Sequence, residues 1–203
     1  GGHAIPADRI TPAWSTDAGL RFVHQDLGLF LDLSVAENLV VGRGFTTTRA
    51  GRIRWDQVRR HAAGVLDRFG VNATPEQAVS QLNAPDRALL AIARALQDQS
   101  PTVNRVVVLD EPTACLPLAE ANRLLEALRG LARDGHSIVL ISHRLDEITQ
   151  VADSVSVLRD GRLVETLDAA GLTESRLIEL IVGDEVEPAR PAPRQLRTAD
   201  GRD

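Results

Sequence analysis

Residues Val106 to Ala114, VVVLDEPTA, decide the fold. Four consecutive apolar residues, three of them valine, make a run too short for a helix and lacking alternation, the pattern of a strand buried on both faces of a parallel sheet. Pro112 stops it, because proline has no N–H to give to a ladder. About thirty residues on, the pattern returns as Ser137 to Ile141, SIVLI, followed by Ser142 and His143. Between the two runs, Leu118 to Ala132 sets Ala121, Leu124, Leu125, Leu128 and Leu131 at helical spacing, and Asp134-Gly135 punctuates. A strand, a helix and a parallel strand form the right-handed crossover of an α/β sheet.

In open α/β sheets ligands bind beyond the carboxyl ends of the strands. Asp110 and Glu111 follow the first strand and His143 the second, so the three belong to one edge. Two adjacent carboxylates can divide phosphoryl chemistry, one serving Mg²⁺ and the next polarising an attacking water. A histidine on the neighbouring strand suits a terminal phosphate. Alone, an acidic pair after a strand reads as a loop start or helix cap, and a single histidine as structural; together at this spacing they are far more specific.

Outward from this centre, Gly19 leads into a short strand, Leu20 to Val23. Ser34 and Glu37 make a capping box opening VAENLVVG. Residues 56–69 place Val58, Ala62, Val65, Leu66 and Phe69 on one helical face, closed by Gly70, and Asp86 to Leu96 is a further helix. Val155, Val157 and Leu158, the turn Asp160-Gly161 and Leu163 to Thr166 predict a hairpin. Thr173 caps a last helix carrying Leu177, Ile178, Leu180 and Ile181. Residues 1–20 read as a loop with a short helix.

Composition closes several doors. With 203 residues, 43% hydrophobic and 25% charged, the chain has the make-up of a soluble globular protein. Its 28 acidic against 23 basic residues give a net charge of −5, no general attraction to nucleic acid or anionic membrane. The single cysteine, Cys115, excludes an internal disulfide framework and a cysteine-rich metal site and fits a reducing compartment. No apolar run approaches the roughly 20 residues that span a bilayer, and no signal peptide is read. All the basic residues are arginine, which rules out Schiff-base chemistry and a complete G-x-x-x-x-G-K-[ST] phosphate loop.

VVVLDEPTA resembles the Walker B segment of the ATP-binding cassette (ABC) transporter ATPases. IVLISHRLDEI with VADSVSVLRDGRLV is similar to their switch-histidine strand and following hairpin, and FVHQDLGLFLDLSVAENL to their Q-loop. LAIARAL, Leu90 to Leu96, resembles the tail of the helix after their signature loop. The four blocks keep the family's order and spacing over residues 1–183, with wording most like the first cassette of tandem sugar-importer ATPases. The fold implied is α/β, a partial P-loop NTPase sheet with an inserted α-helical subdomain. Residues 1–35 would end the N-terminal catalytic lobe with the Q-loop, 36–100 form the helical subdomain, 101–183 carry the Walker B and switch-histidine part, and 184–203, rich in Pro, Arg and acids, make a linker.

The resemblance implies roles for single residues. Gln25 would sense Mg²⁺ and the attacking-water region, Asp110 would serve the Mg²⁺ shell, Glu111 would be the catalytic base, and His143 would contact the γ-phosphate of ATP. The signature loop, usually L-S-G-G-Q, here reads Leu82, Asn83, Ala84, Pro85 and Asp86. The last four would face the partner cassette's ATP, weakly, because Pro85 has no N–H and Asp86 adds negative charge beside phosphate. The D-loop, normally S-A-L-D, reads Ala114, Cys115, Leu116 and Pro117, without its aspartate. Asp26, Glu37 and Glu147 read as solvated or capping charges.

The implied protein is a peripheral ATPase at the cytoplasmic face of the membrane. Its partners would be transmembrane permease subunits and a second cassette, with no nucleic acid. The phosphate loop is expected upstream of residue 1, so that this chain alone is inactive. The alternative is a truncated cassette acting as an interaction module. Cassette ATPases of DNA repair fit less well, since no heptad tract or C-x-x-C appears.

Overall fold

A computed structural model describes residues 6, 9–24, 26–49, 51–97 and 106–183. They form two compact units, one up to Val151 and one from Ala152, a division that falls inside the 101–183 segment of the sequence reading.

The first unit contains helix α1 (Pro12–Asp17), strand β1 (Leu20–Val23), helices α2 (Val35–Val40), α3 (Trp55–Phe69) and α4 (Ala84–Leu96), strand β2 (Val106–Asp110), helix α5 (Leu118–Arg133), strand β3 (Ser137–Ile141) and helix α6 (Leu145–Val151). The sheet is parallel throughout, ordered β1-β2-β3. Register fixes its edge, with Val23 beside Leu109, and Leu109 and Asp110 beside Leu140 and Ile141. All three strands therefore end together.

Local sequence explains the helices. Ser34 Oγ accepts the Glu37 backbone N–H while the Glu37 carboxylate accepts the Ser34 N–H at 2.8 Å, a closed capping box. The Ser34 hydroxyl also donates to that carboxylate at 2.6 Å, and this bond, with that from the Ser34 N–H, favours ionised Glu37, whose pKa lies below the ordinary 4.5. A depressed folded pKa gives stability that is complete above the unfolded value and is lost as pH falls through the folded one. Glu37→Gln is expected to flatten the fall of the urea midpoint below about pH 5, and an unchanged slope would count against this coupling. Gly70 ends α3 in the left-handed region, φ 63°, where its N–H reaches Leu66 O, so the glycine read as a helix stop serves as one. Helix α4 begins two residues earlier than Asp86 because Asn83 is its cap and Pro85, lacking an N–H, is tolerated in the first turn.

The core lies between the helices and one face of the sheet. Val107 and Leu109 of β2 pack with Leu39, Leu66, Leu89, Leu90, Ile92 and Leu124. The opposite face is open among the described residues: Phe22, Val139 and Ile141 are exposed, the latter two at 47% and 49%. This corrects the expectation of strands buried on both faces. An apolar run specifies what a strand can bury, whereas the helices described cover only one side.

The second unit pairs β4 (Ser154–Arg159) antiparallel with β5 (Arg162–Asp168) and adds α7 (Glu174–Val182). Asp160 and Gly161 both take positive φ at the turn, and Thr173 Oγ1 accepts the Arg176 N–H as the cap of α7. Gln25 and the proposed linker 184–203 lie outside the described residues.

A candidate phosphoryl-transfer site at the sheet edge

Asp110 is the last residue of β2, and Glu111 extends the ladder by one bond, its N–H donating to Ile141 O at 2.9 Å. There the backbone turns: Glu111 has φ 46°, a left-handed conformation costing a non-glycine residue about 1–3 kcal/mol unless its surroundings impose it. Beyond β3, His143 brings Nδ1 to 3.0 Å from Glu111 Oε1. The histidine is exposed and the carboxylate partly so, hence both are open to a ligand. Asp110, half-buried, ends the central strand beside them. The structure thus brings together Asp110, Glu111 and His143, and a carboxylate within hydrogen-bonding distance of an imidazole can pass or hold a proton.

Metal fit depends on donor chemistry. Asp110 and Glu111 offer hard carboxylate oxygens, which suit Mg²⁺, an ion that takes one or two carboxylates and fills its octahedron with water and phosphate. Among the described residues no cluster of three or more His, Cys, Asp or Glu could enclose a metal alone. The residues fit an ion shared with a phosphate ligand.

On the β1 side, His24 stacks on Phe22 with ring centroids 6.2 Å apart. The loop beyond is tied to α4 by Arg94, whose guanidinium donates to Gly28 O at 2.7 Å and Leu27 O at 3.1 Å. Burial lowers the Arg94 pKa. Gly28 stands in the left-handed region, and a Cβ there would meet Arg94 Nη2 at 3.2 Å, tight enough to displace the guanidinium. Asp26, exposed, accepts the Gly28 N–H and stabilises the same turn.

The signature-like segment stands apart from this edge in its bonding. Asn83 Oδ1 accepts the Asp86 N–H at 2.9 Å, so the side-chain carbonyl is engaged in capping. Asn83 and Ala84 are exposed and Pro85 is buried. Asp86, expected to add charge beside phosphate, is 1% exposed; its carboxylate takes the Arg123 guanidinium at 2.8 Å and the Asn72 N–H at 3.1 Å. Its charge is met inside the protein, so α4 is braced against α5 instead of carrying a bare anion at its start.

Sequence reasoning missed a second buried acid. Glu147, read as solvated or capping, is 1% exposed. Thr113 Oγ1 donates to its Oε2 at 2.5 Å, and Arg144 Nε is 2.9 Å from its Oε1. The correction has a simple cause: α6 packs on α5, turning Glu147 inward, and its partners lie on two other loops. An acid three residues after an arginine was the only local signal, and that spacing is equally common on solvated helices.

No protein-family profile matches the chain. It is 46% identical over 178 residues, 88% of its length, to ribose import ATP-binding protein RbsA 2 of Rubrobacter xylanophilus. It is 40% identical over 173 residues, 85% of its length, to ribose import ATP-binding protein RbsA of Chelativorans sp.. The alignments span 34% and 32% of those relatives, so the chain covers about a third of the length of the curated proteins it matches. Among solved structures, cbiO1 of Clostridium perfringens, part of the ABC transporter complex cbiONQ, superposes with a TM-score of 0.62 at 22% identity, covering 82% of this chain and 65% of that one.

Proposed function

We propose a function from the premise that this chain belongs with the ABC transporter ATPases, being homologous over nearly nine tenths of its length to their import ATP-binding proteins. It supplies the catalytic-carboxylate part of an ATP site that powers carbohydrate import through transmembrane permease subunits, at the cytoplasmic face of the membrane. The observation that carries the reading is the 3.0 Å contact between His143 and Glu111 at an edge where β2 also ends in Asp110.

Glu111 is the base that takes a proton from the attacking water. His143 orients that carboxylate through Nδ1 and presents its other ring nitrogen to the terminal phosphate. Asp110 would help hold a Mg²⁺ ion, which when bound would neutralise charge on the phosphates. Gln25, two residues after the end of β1 in the sequence, is assigned to sensing the ion. Asn83 and Ala84, exposed at the start of α4, are the groups of this segment that would meet the ATP of a second cassette; Pro85 and Asp86 serve the fold of the helix start.

Residues 1–35, 36–100 and 101–183 are proposed as lobe end, helical subdomain and catalytic-lobe remainder, and 184–203 as a linker. Since the chain has no lysine, the phosphate-loop lysine must come from other residues of the working protein. Two measurements test this. Titration of the 203-residue chain with Mg-ATP should show no saturable tight binding. The gene product bearing a phosphate loop, reconstituted with its permease, should hydrolyse ATP with stimulation by a sugar and its binding protein. Tight binding by this chain alone would overturn the division of the site, and absence of hydrolysis by the assembly would overturn the function.

A further inference from the structure

We propose that Glu147 is a positioning residue for the carboxylate–histidine edge: through Thr113 and Arg144 it holds together the two loops that carry Glu111 and His143. The proposal rests on the roles given to Glu111 and His143 above.

Glu147 meets one partner from each loop, a hydrogen-bond donor from one and a charge from the other. Thr113, two residues after Glu111 and itself 1% exposed, donates its hydroxyl at 2.5 Å. Arg144, next after His143, faces the other carboxylate oxygen at 2.9 Å. That second contact lacks hydrogen-bond alignment, so Oε1 is held by charge alone. Arg144 Nη1 also reaches Thr113 O at 3.5 Å, closing a triangle among the three residues. A carboxylate this deeply buried must meet its donors, and parting the loops would strip it of one or both.

The backbone of Glu111 gives the second observation. Its left-handed conformation persists only where the surrounding structure imposes it. On one side the Glu111 N–H is bonded to Ile141 O. On the other, the turn closes through Ala114 N–H to Glu111 O at 3.2 Å and Leu116 N–H to Thr113 O at 3.0 Å. Thr113 is the member of that turn anchored from inside, and Glu147 is its anchor. The direction of the Glu111 side chain towards His143 therefore depends on a residue 36 positions away that acts through Thr113 and Arg144.

The test compares Glu147→Leu, Thr113→Val and Thr113→Ser by amide hydrogen exchange in the 203-residue chain. Glu147→Leu and Thr113→Val should speed exchange at Ala114 and Leu116 by about tenfold or more, while Thr113→Ser, which keeps the hydroxyl, should stay within about twofold. Protection at Val65 and Leu66 in α3 should be unchanged. Equal exchange in Thr113→Val and the parent overturns the proposal. So does a uniform loss of protection in Thr113→Val, because the pair would then serve the fold at large. In the gene product with a complete nucleotide site, the same two variants should lower kcat by about tenfold or more with little change in KM for ATP, and Thr113→Ser should restore it. An inactive parent would overturn the functional reading, and the exchange result would still judge Glu147; an active parent whose kcat is insensitive to both variants overturns the proposal.

Discussion

Glu111→Gln, made in the protein that carries a complete nucleotide site, is expected to lower ATP turnover by about 10²–10⁴-fold, the contribution of a positioned general base. Glutamine is nearly the same size and can still bond to His143, so the 3.0 Å contact is not what the change removes. What it removes is the capacity to accept a proton. ATP binding should survive, because no phosphate contact is assigned to this side chain. His143→Ala should lower turnover by a smaller factor, since the base remains and only its orientation and one phosphate contact are lost. Single-turnover hydrolysis together with nucleotide binding separates these effects. Turnover of Glu111→Gln within about threefold of the parent would remove Glu111 as the base.

Arg123→Ala is expected to lower unfolding free energy by about 3 kcal/mol, the lower end of the range for breaking a buried ion pair. The lower end applies because the Arg123 side chain is 42% exposed, whereas that of Asp86 is only 2% exposed. Truncating the arginine leaves Asp86 charged and inside, with the Asn72 N–H still donating to its carboxylate. Asp86→Ala should cost less, since the freed guanidinium can turn to water while only the Asn72 N–H loses its acceptor. The double variant should fall short of the sum by about 1–3 kcal/mol, the coupling expected of residues in contact. Urea unfolding of the four proteins measures it, and simple additivity would show that the 2.8 Å contact contributes nothing.

Both expectations turn on residues whose identities were plain in the sequence and whose surroundings were not. VVVLDEPTA and SIVLISH specified two strands, their parallel pairing through a helical crossover, and an edge with Asp110, Glu111 and His143. The structure places them so, in the middle and at one side of a three-stranded sheet. Caps and stops at Ser34, Gly70 and Thr173 were equally legible, since each acts on backbone groups within five residues of itself.

The sequence by itself determined most of the elements, though not α6, together with their order and the edge at which chemistry collects, because periodicity and capping are short-range properties of the chain. Only the tertiary structure decided the left-handed backbone of Glu111, which faces of the sheet are covered, and the fates of Asp86 and Glu147. Those two acids look like any surface carboxylate in the sequence. Their partners Arg123 and Thr113 stand 37 and 34 residues away, and whether such a charge is solvated or buried depends on packing that brings those residues beside it.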